Sequence, residues 1–405
     1  MQPARGRPYA AGQRLPDPTR TMIAEPDARW ATLTTPAAVL DRSRLQHNID
    51  RMQQRMAALG VRLRPHVKTS KSWPVVQAQL AAGAQGITVS TLKEAAQFAD
   101  HGLTDITYAV GIAPAKLPQV LALRRRGVNL KILTDNAEVA AAIAEFGHAH
   151  GEAFEVLIEI DTDGHRSGIA PEADELLAVG RALHDGGQRL AGVLTHAGGS
   201  YACSTPQALQ AIAEQERAGC VRAAQRLREA GLPCPVVSVG STPTALSAQR
   251  LDGVTEVRAG VYVFFDLVMC NVGVCTLDDI ALSVLTTVIG HQRDKGWALV
   301  DAGWMALSRD RGTQGQAVDY GYGQVCDLNG RPLPGCSVSG ANQEHGIVSF
   351  DAAALGAVDI VRRLPVGTLL RILPNHACAT AAQFDRYHVI DGDGPLQDWP
   401  RFGGW

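Results

Sequence analysis

The sequence predicts an α/β protein, a (β/α)8 barrel followed by a second, mostly β domain. Two observations carry this. Eight short apolar, β-branched runs alternate with segments of helical spacing, and the alternation stops near residue 275. An open doubly wound sheet is the alternative, but the GxGxxG turn that usually follows its first strand is missing. The expected division is a disordered arm over 1–30, a barrel over 31–275 and a β domain over 276–405.

The runs are 61–64, 86–89, 106–110, 130–133, 155–160, 191–194, 236–239 and 256–261. Helical spacing lies between them, for example at 91–101, 137–147, 172–183 and 206–231. Past residue 282 come runs at 283–289, 297–300 and 368–373, set off by Gly and Pro clusters, with a weak helical pattern at 351–364. The first 30 residues are rich in Pro, Arg, Gly and Ala and lack the apolar core of a signal peptide, so Met22 is an alternative start.

Composition narrows the partners. With 46% hydrophobic and 19% charged residues, the chain has the make-up of a globular protein with a substantial core. A net charge of −2 gives no basic field for nucleic acid or an anionic membrane, so a small molecule is expected. No apolar stretch approaches the roughly 20 residues that span a bilayer. Eight cysteines without a CxxC pair read as reduced thiols in a cytoplasmic protein.

Catalytic residues of β/α barrels gather at the carboxyl ends of the strands. After the first run stand Arg64, Pro65, His66 and Lys68. A lysine there is either a solvated charge or, among cationic neighbours that lower its pKa, a Schiff-base nucleophile. Lys71 is a weaker rival, expected on the next helix. After the fifth run a polar turn offers Arg166 to an anionic oxygen, or is simply a solvated loop. After the sixth, His196 is a candidate acid/base, followed by Gly198, Gly199, Ser200 and Tyr201. The seventh and eighth runs give Gly240, Ser241, Thr242, Gly260 and Tyr262, where such barrels often cradle phosphate. A lysine opposite a phosphate cradle points to a phosphorylated aldehyde cofactor, although sugar-phosphate aldolases share the pattern.

In the β domain, His376 and Cys378 would share one face of an extended segment, because strand side chains alternate with period two. Imidazole and thiolate suit zinc, and two ligands leave positions open for substrate and water.

Together, Arg64-Pro65-His66-x-Lys68-Thr69, Thr195-His196-Ala197-Gly198, Gly240-Ser241-Thr242-Pro243, Glu344-His345-Gly346 and Pro374-Asn375-His376-Ala377-Cys378 resemble the D-serine dehydratase and D-threonine aldolase family. The resemblance runs from about Thr34 to near the C-terminus. It implies the alanine-racemase-like fold of fold-type III pyridoxal phosphate enzymes, with Lys68 bound to the cofactor and a divalent metal, zinc or manganese, on His376 and Cys378. Aldolase members carry Asp at the position of Cys378, so the cysteine implies a dehydratase. The expected reaction is β-elimination from a D-β-hydroxy-α-amino acid, D-threo-3-hydroxyaspartate or D-serine, giving a 2-oxo acid and ammonia. Retro-aldol cleavage, with His196 helping to deprotonate the hydroxyl, is the alternative. A non-catalytic carrier of the cofactor is an alternative of another class. The family also implies a homodimer, with 301–304 and 308–310 near the junction. Tyr201 is a candidate partner of the pyridine nitrogen, and the residue that would bind a second substrate carboxylate stays open.

Overall fold

The computed structural model describes residues 28–351, 355–356 and 358–405. The arm expected over 1–30, with Met22, falls almost wholly outside them, as does part of the weak pattern at 351–364. The described residues form two compact units, one of those up to His47 with Val263–Arg401 and one of Asn48–Tyr262 with Phe402–Trp405.

The second of these is the barrel. Its strands are β2 (Arg62–Leu63), β3 (Ile87–Val89), β4 (Asp105–Gly111), β5 (Asn129–Thr134), β6 (Glu155–Ile160), β7 (Arg189–Thr195), β8 (Val236–Val239) and β9 (Glu256–Val257). They pair in parallel, each with its sequence neighbour from β3 to β9, and β9 pairs with β2. A bridge between His66 and Thr88 closes the ring. All eight expected runs are therefore barrel strands. Apolar side chains fill them, as in β6, where five of the six residues are buried. Four of its helices start on oxygen caps: Thr91, Asn136, Thr205 and Ser241 each accept the N–H of the third residue onward. The amino-terminal end is plugged by charge. Arg64 binds Glu256 at 2.9 Å and Asp105 at 2.8 Å, at the first residues of β9 and β4. Arg64 thus faces away from the carboxyl-terminal mouth, because these carboxylates hold its guanidinium below.

The other unit is a β barrel. Strands β10 (Leu282–Gln292), β11 (Trp297–Val300), β12 (Gln324–Cys326), β13 (Pro332–Ala341), β14 (Gly346–Phe350) and β15 (Leu369–Leu373) close in the order β11-β14-β13-β12-β15-β10, with β10 returning to β11. Val284, Val288, Val300, Val338, Val348 and Ile372 are among its fully buried core residues. Strand β1 (Ala37–Asp41) joins this sheet, antiparallel to β10 and parallel to β16 (Arg386–Ile390). The compact units therefore divide differently from the expected 31–275 and 276–405. Four successive buried residues of β1 find their partners on β10, and Val263–Arg401 packs with the β unit. Among the described residues, no helix is long and apolar enough to cross a membrane, and none of the eight cysteines is disulfide-bonded.

Candidate active site

Lys68 stands in the turn that follows β2, exposed at the carboxyl-terminal mouth of the barrel. Val67 N–H donates to Thr88 O at 2.9 Å, and Lys71 N–H closes the turn on Val67 O at 2.8 Å. Lys71 precedes the next helix rather than lying on it. Its amine is committed to the buried Glu94 at 2.7 Å, which leaves Lys68 as the accessible amine of this turn.

His196 leaves β7 with Nδ1 2.9 Å from Gly240 O. A carbonyl can only accept, so Nδ1 carries the proton and Nε2 keeps its lone pair. Burial, with the cations Lys68, Arg258 and Arg166 nearby, outweighs that bond and pulls the imidazole pKa down to about 3. His66 is also held neutral, by burial and by Lys68, Arg258 and His196. The Tyr201 ring lies 6.2 Å from that of His196, on the turn Gly198–Ala202. Arg166 is exposed on its loop.

The expected phosphate turn is more internally bonded than the sequence implies. Gly240 N–H donates to Glu216 at 3.1 Å. Ser241 Oγ caps the helix Thr242–Ser247 and lies 2.9 Å from Ser200 Oγ. Thr242 Oγ1 accepts Tyr262 N–H at 3.1 Å. The Tyr262 phenol is buried against Gln79 at 2.8 Å and does not face the mouth. Gly240 and Gly260 serve close packing: a Cβ would lie 2.4 Å from Arg258 O and 2.9 Å from His66 O, respectively. The residues that suit a phosphorylated aldehyde are thus an exposed primary amine on Lys68, the cations Arg166 and Arg258, which with Lys68 act on His196, and glycine-shaped turns.

Two residues here escaped the sequence reading. Arg258 is buried, bonded to Ser238 Oγ at 2.9 Å and to Thr195 O. Glu216 is buried on the helix Pro206–Glu229, where Oε1 accepts Ala197 N–H at 2.9 Å and Gly240 N–H at 3.1 Å. One carboxylate oxygen thereby ties the His196 turn to the Ser241 turn. The signal was available: Leu209, Ala213, Glu216, Cys220 and Leu227 form one buried stripe at helical spacing, with an acid in its middle.

In the β unit, β15 ends at Leu373 and the chain turns. His376 is extended (φ −135°, ψ 106°) and Cys378 sits on the short helix Ala377–Ala381. The two side chains hydrogen-bond, but through a strand-to-helix turn and not through the period-two strand expected. Two asparagine bonds set that turn: Asn375 Nδ2 donates to Asp310 O at 3.0 Å and to Gly321 O at 2.8 Å. Buried Asp266 accepts Ala377 N–H at 2.9 Å. Asp310 Oδ2 lies 2.7 Å from His376 Nδ1, while its Oδ1 accepts Gly312 N–H at 2.8 Å. Burial opposes charge on the His376 ring, yet the bonds to Asp310 and Cys378 and the nearby Asp266 raise its pKa to about 11. Among the described residues, no three His, Cys, Asp or Glu side chains converge on one point. An imidazole backed by a carboxylate beside a thiol fits an open metal site with two protein ligands.

Comparison with known proteins covers both units. The family model of the alanine racemase N-terminal domain matches residues 40–268, and the one described as "Putative serine dehydratase domain" matches 281–390. D-threo-3-hydroxyaspartate dehydratase from Delftia sp. (strain HT23) is 69% identical over 375 residues, 92% of this chain and 98% of that protein. Its solved structure covers 92% of this chain and 99% of its own, with a TM-score of 0.90. A cysteine-to-alanine mutant of that dehydratase has been solved in a metal-free form, with 69% identity, the same TM-score of 0.90 and the same 92% and 99% coverage. D-serine dehydratase from Dictyostelium discoideum is 31% identical, over 90% of this chain and 95% of that protein.

Proposed function

Because the chain belongs to the D-serine dehydratase and D-threonine aldolase family of alanine-racemase-like enzymes, we propose that it is a pyridoxal phosphate- and divalent metal-dependent dehydratase of D-β-hydroxy-α-amino acids. D-threo-3-hydroxyaspartate is its foremost substrate and D-serine a second. The observation that carries this is the 69% identity to the Delftia dehydratase over 98% of that protein, barrel and β unit together.

Lys68 would hold the cofactor through its amine, with Arg166, Tyr201 and the turns at Gly240, Ser241, Thr242 and Gly260 around it, the Tyr262 phenol being turned away to Gln79. When bound, pyridoxal phosphate supplies an electron sink at the α-carbon. His376 and Cys378 would hold zinc or manganese, which supplies a Lewis acid for the β-hydroxyl. That a cysteine-to-alanine mutant of D-threo-3-hydroxyaspartate dehydratase was solved in a metal-free form is in keeping with a metal at such a site. With the cofactor bound, the Lys68 amine would be the base that takes the α-proton. Hydroxide leaves poorly, so a Lewis acid there would assist its departure, and Asp310, bonded to His376 Nδ1, would fix the ring with Nε2 open to it. His196, neutral with Nε2 open, exchanges protons at the mouth. The released enamine hydrolyses in water to a 2-oxo acid and ammonia, oxaloacetate in the case of 3-hydroxyaspartate. A cytoplasmic homodimer completes this reading.

A panel of D-β-hydroxy amino acids with fixed metal tests it. D-threo-3-hydroxyaspartate should yield oxaloacetate and ammonia, and a chelator should stop ammonia release while the lysine-linked cofactor band persists. Loss of both would make the metal structural. From D-threonine, glycine and acetaldehyde would establish an aldolase instead of 2-oxobutyrate and ammonia. A zero rate on every member would leave a cofactor-binding protein.

A further inference from the structure

We propose that the segment Phe402–Trp405 is a positioning element for Lys68, acting through the turn that bears it. This rests on the reading of Lys68 as the cofactor lysine. The segment returns to the barrel unit more than 300 residues after that turn. Phe402 N–H donates to Lys71 O at 2.6 Å. Lys71 N–H in turn closes on Val67 O, so the bond from Phe402 grips the far end of the 67–71 loop while Thr88 holds its start. Lys71 sits at φ +43°, a left-handed conformation that a lysine keeps only when its surroundings dictate it.

Those surroundings are largely this segment and what it touches. The Phe402 ring meets Phe98 edge-on at 5.0 Å and lies against His101 at 5.8 Å. His101 stacks on Trp73 at 4.8 Å, and Trp73 opens the helix that follows the turn. The Lys71 amine, besides its pair with Glu94, lies 5.8 Å from the ring of Trp405. The aromatic stack braces both the Phe402 bond and the helix start. Without it the left-handed residue relaxes and carries Lys68, three residues away, out of line. Misplacement by about 1 Å can cost on the order of 100-fold in a reaction that depends on approach geometry.

The test mixes cofactor-free protein with pyridoxal phosphate and follows the visible band as the Lys68 amine and the aldehyde condense with loss of water. Phe402→Ala should slow condensation and lower kcat by about tenfold each, with KM within about twofold. Phe402→Tyr should restore both, because it keeps the ring stack. Condensation and turnover by Phe402→Ala within about twofold of the unaltered chain, or a loss that Phe402→Tyr fails to restore, would overturn the proposal. If the alanine variant does not accumulate folded, Phe402→Leu, which keeps apolar volume and loses the stack, carries the same comparison. Failure of the underlying reading is recognised separately: Lys68→Ala would then show the same band as the unaltered chain.

Discussion

His376 Nδ1 and Asp310 Oδ2 lie 2.7 Å apart, which fixes the ring so that Nε2 is the nitrogen left for a metal. Asp310→Asn keeps the shape and removes the charge. Metal affinity should fall by about 10–100-fold, as measured by titration of the metal-free protein. The lysine-linked cofactor band should be unchanged. Unaltered metal affinity would show that the carboxylate does not serve the metal.

Lys68 is the exposed amine of its turn, since Lys71 is paired with Glu94. Lys68→Ala should therefore abolish the cofactor–lysine absorbance and ammonia release. Lys71→Ala should leave the absorbance in place. The reverse pattern in the two spectra would exchange their roles.

Glu216 accepts two backbone N–H groups from two different turns. Glu216→Ala leaves both donors buried and unpaired, at about 1–3 kcal/mol each, which urea unfolding should register. Glu216→Gln retains an acceptor oxygen and should lose less. The alanine variant should also lower kcat, because Glu216 holds the N–H of Gly240, the residue whose carbonyl oxygen on the following peptide sets the His196 tautomer.

The pKa of His196 falls from an ordinary 6.5 to about 3 on folding. Between those values the unfolded chain binds the extra proton and the folded chain does not. Its contribution is complete above about pH 6.5 and is lost as pH falls toward about 3. His66 is shifted in the same direction by the same cause, burial. Urea midpoints should drop from pH 7 to pH 5, and His196→Gln should flatten that slope. An equal slope in the variant would assign the effect to other groups.

The barrel was legible in the sequence because each buried strand is a compact apolar run bounded by turns, and parallel pairing asks for nothing more. The places of Lys68, His196, His376 and Cys378, just past such runs, were legible in the sequence as well. Strand β1 was not, since Ala37–Asp41 is short and leads directly into the helix Arg42–Ala58, with nothing local to reveal partners on β10 and β16. Asp310 lies in a loop without periodicity, and its tie to His376 is long-range. Arg64 misled because its neighbours in sequence face the mouth while its ion-pair partners sit at the opposite end. Tyr262 misled in a similar way, its phenol being taken by Gln79.

The pairing of β1 with β10 and β16 has a consequence for biosynthesis. An apolar strand is made early, yet its first partner appears about 240 residues later. At about 5–20 residues per second, a ribosome needs roughly 12–50 s to supply it. Through that interval the intervening barrel can collapse on its own contiguous stretch of chain, while β1 waits as an unpaired apolar edge. Nascent chains stalled before residue 282 should therefore engage chaperones through β1, and polar substitutions there would relieve that engagement at the expense of the finished sheet.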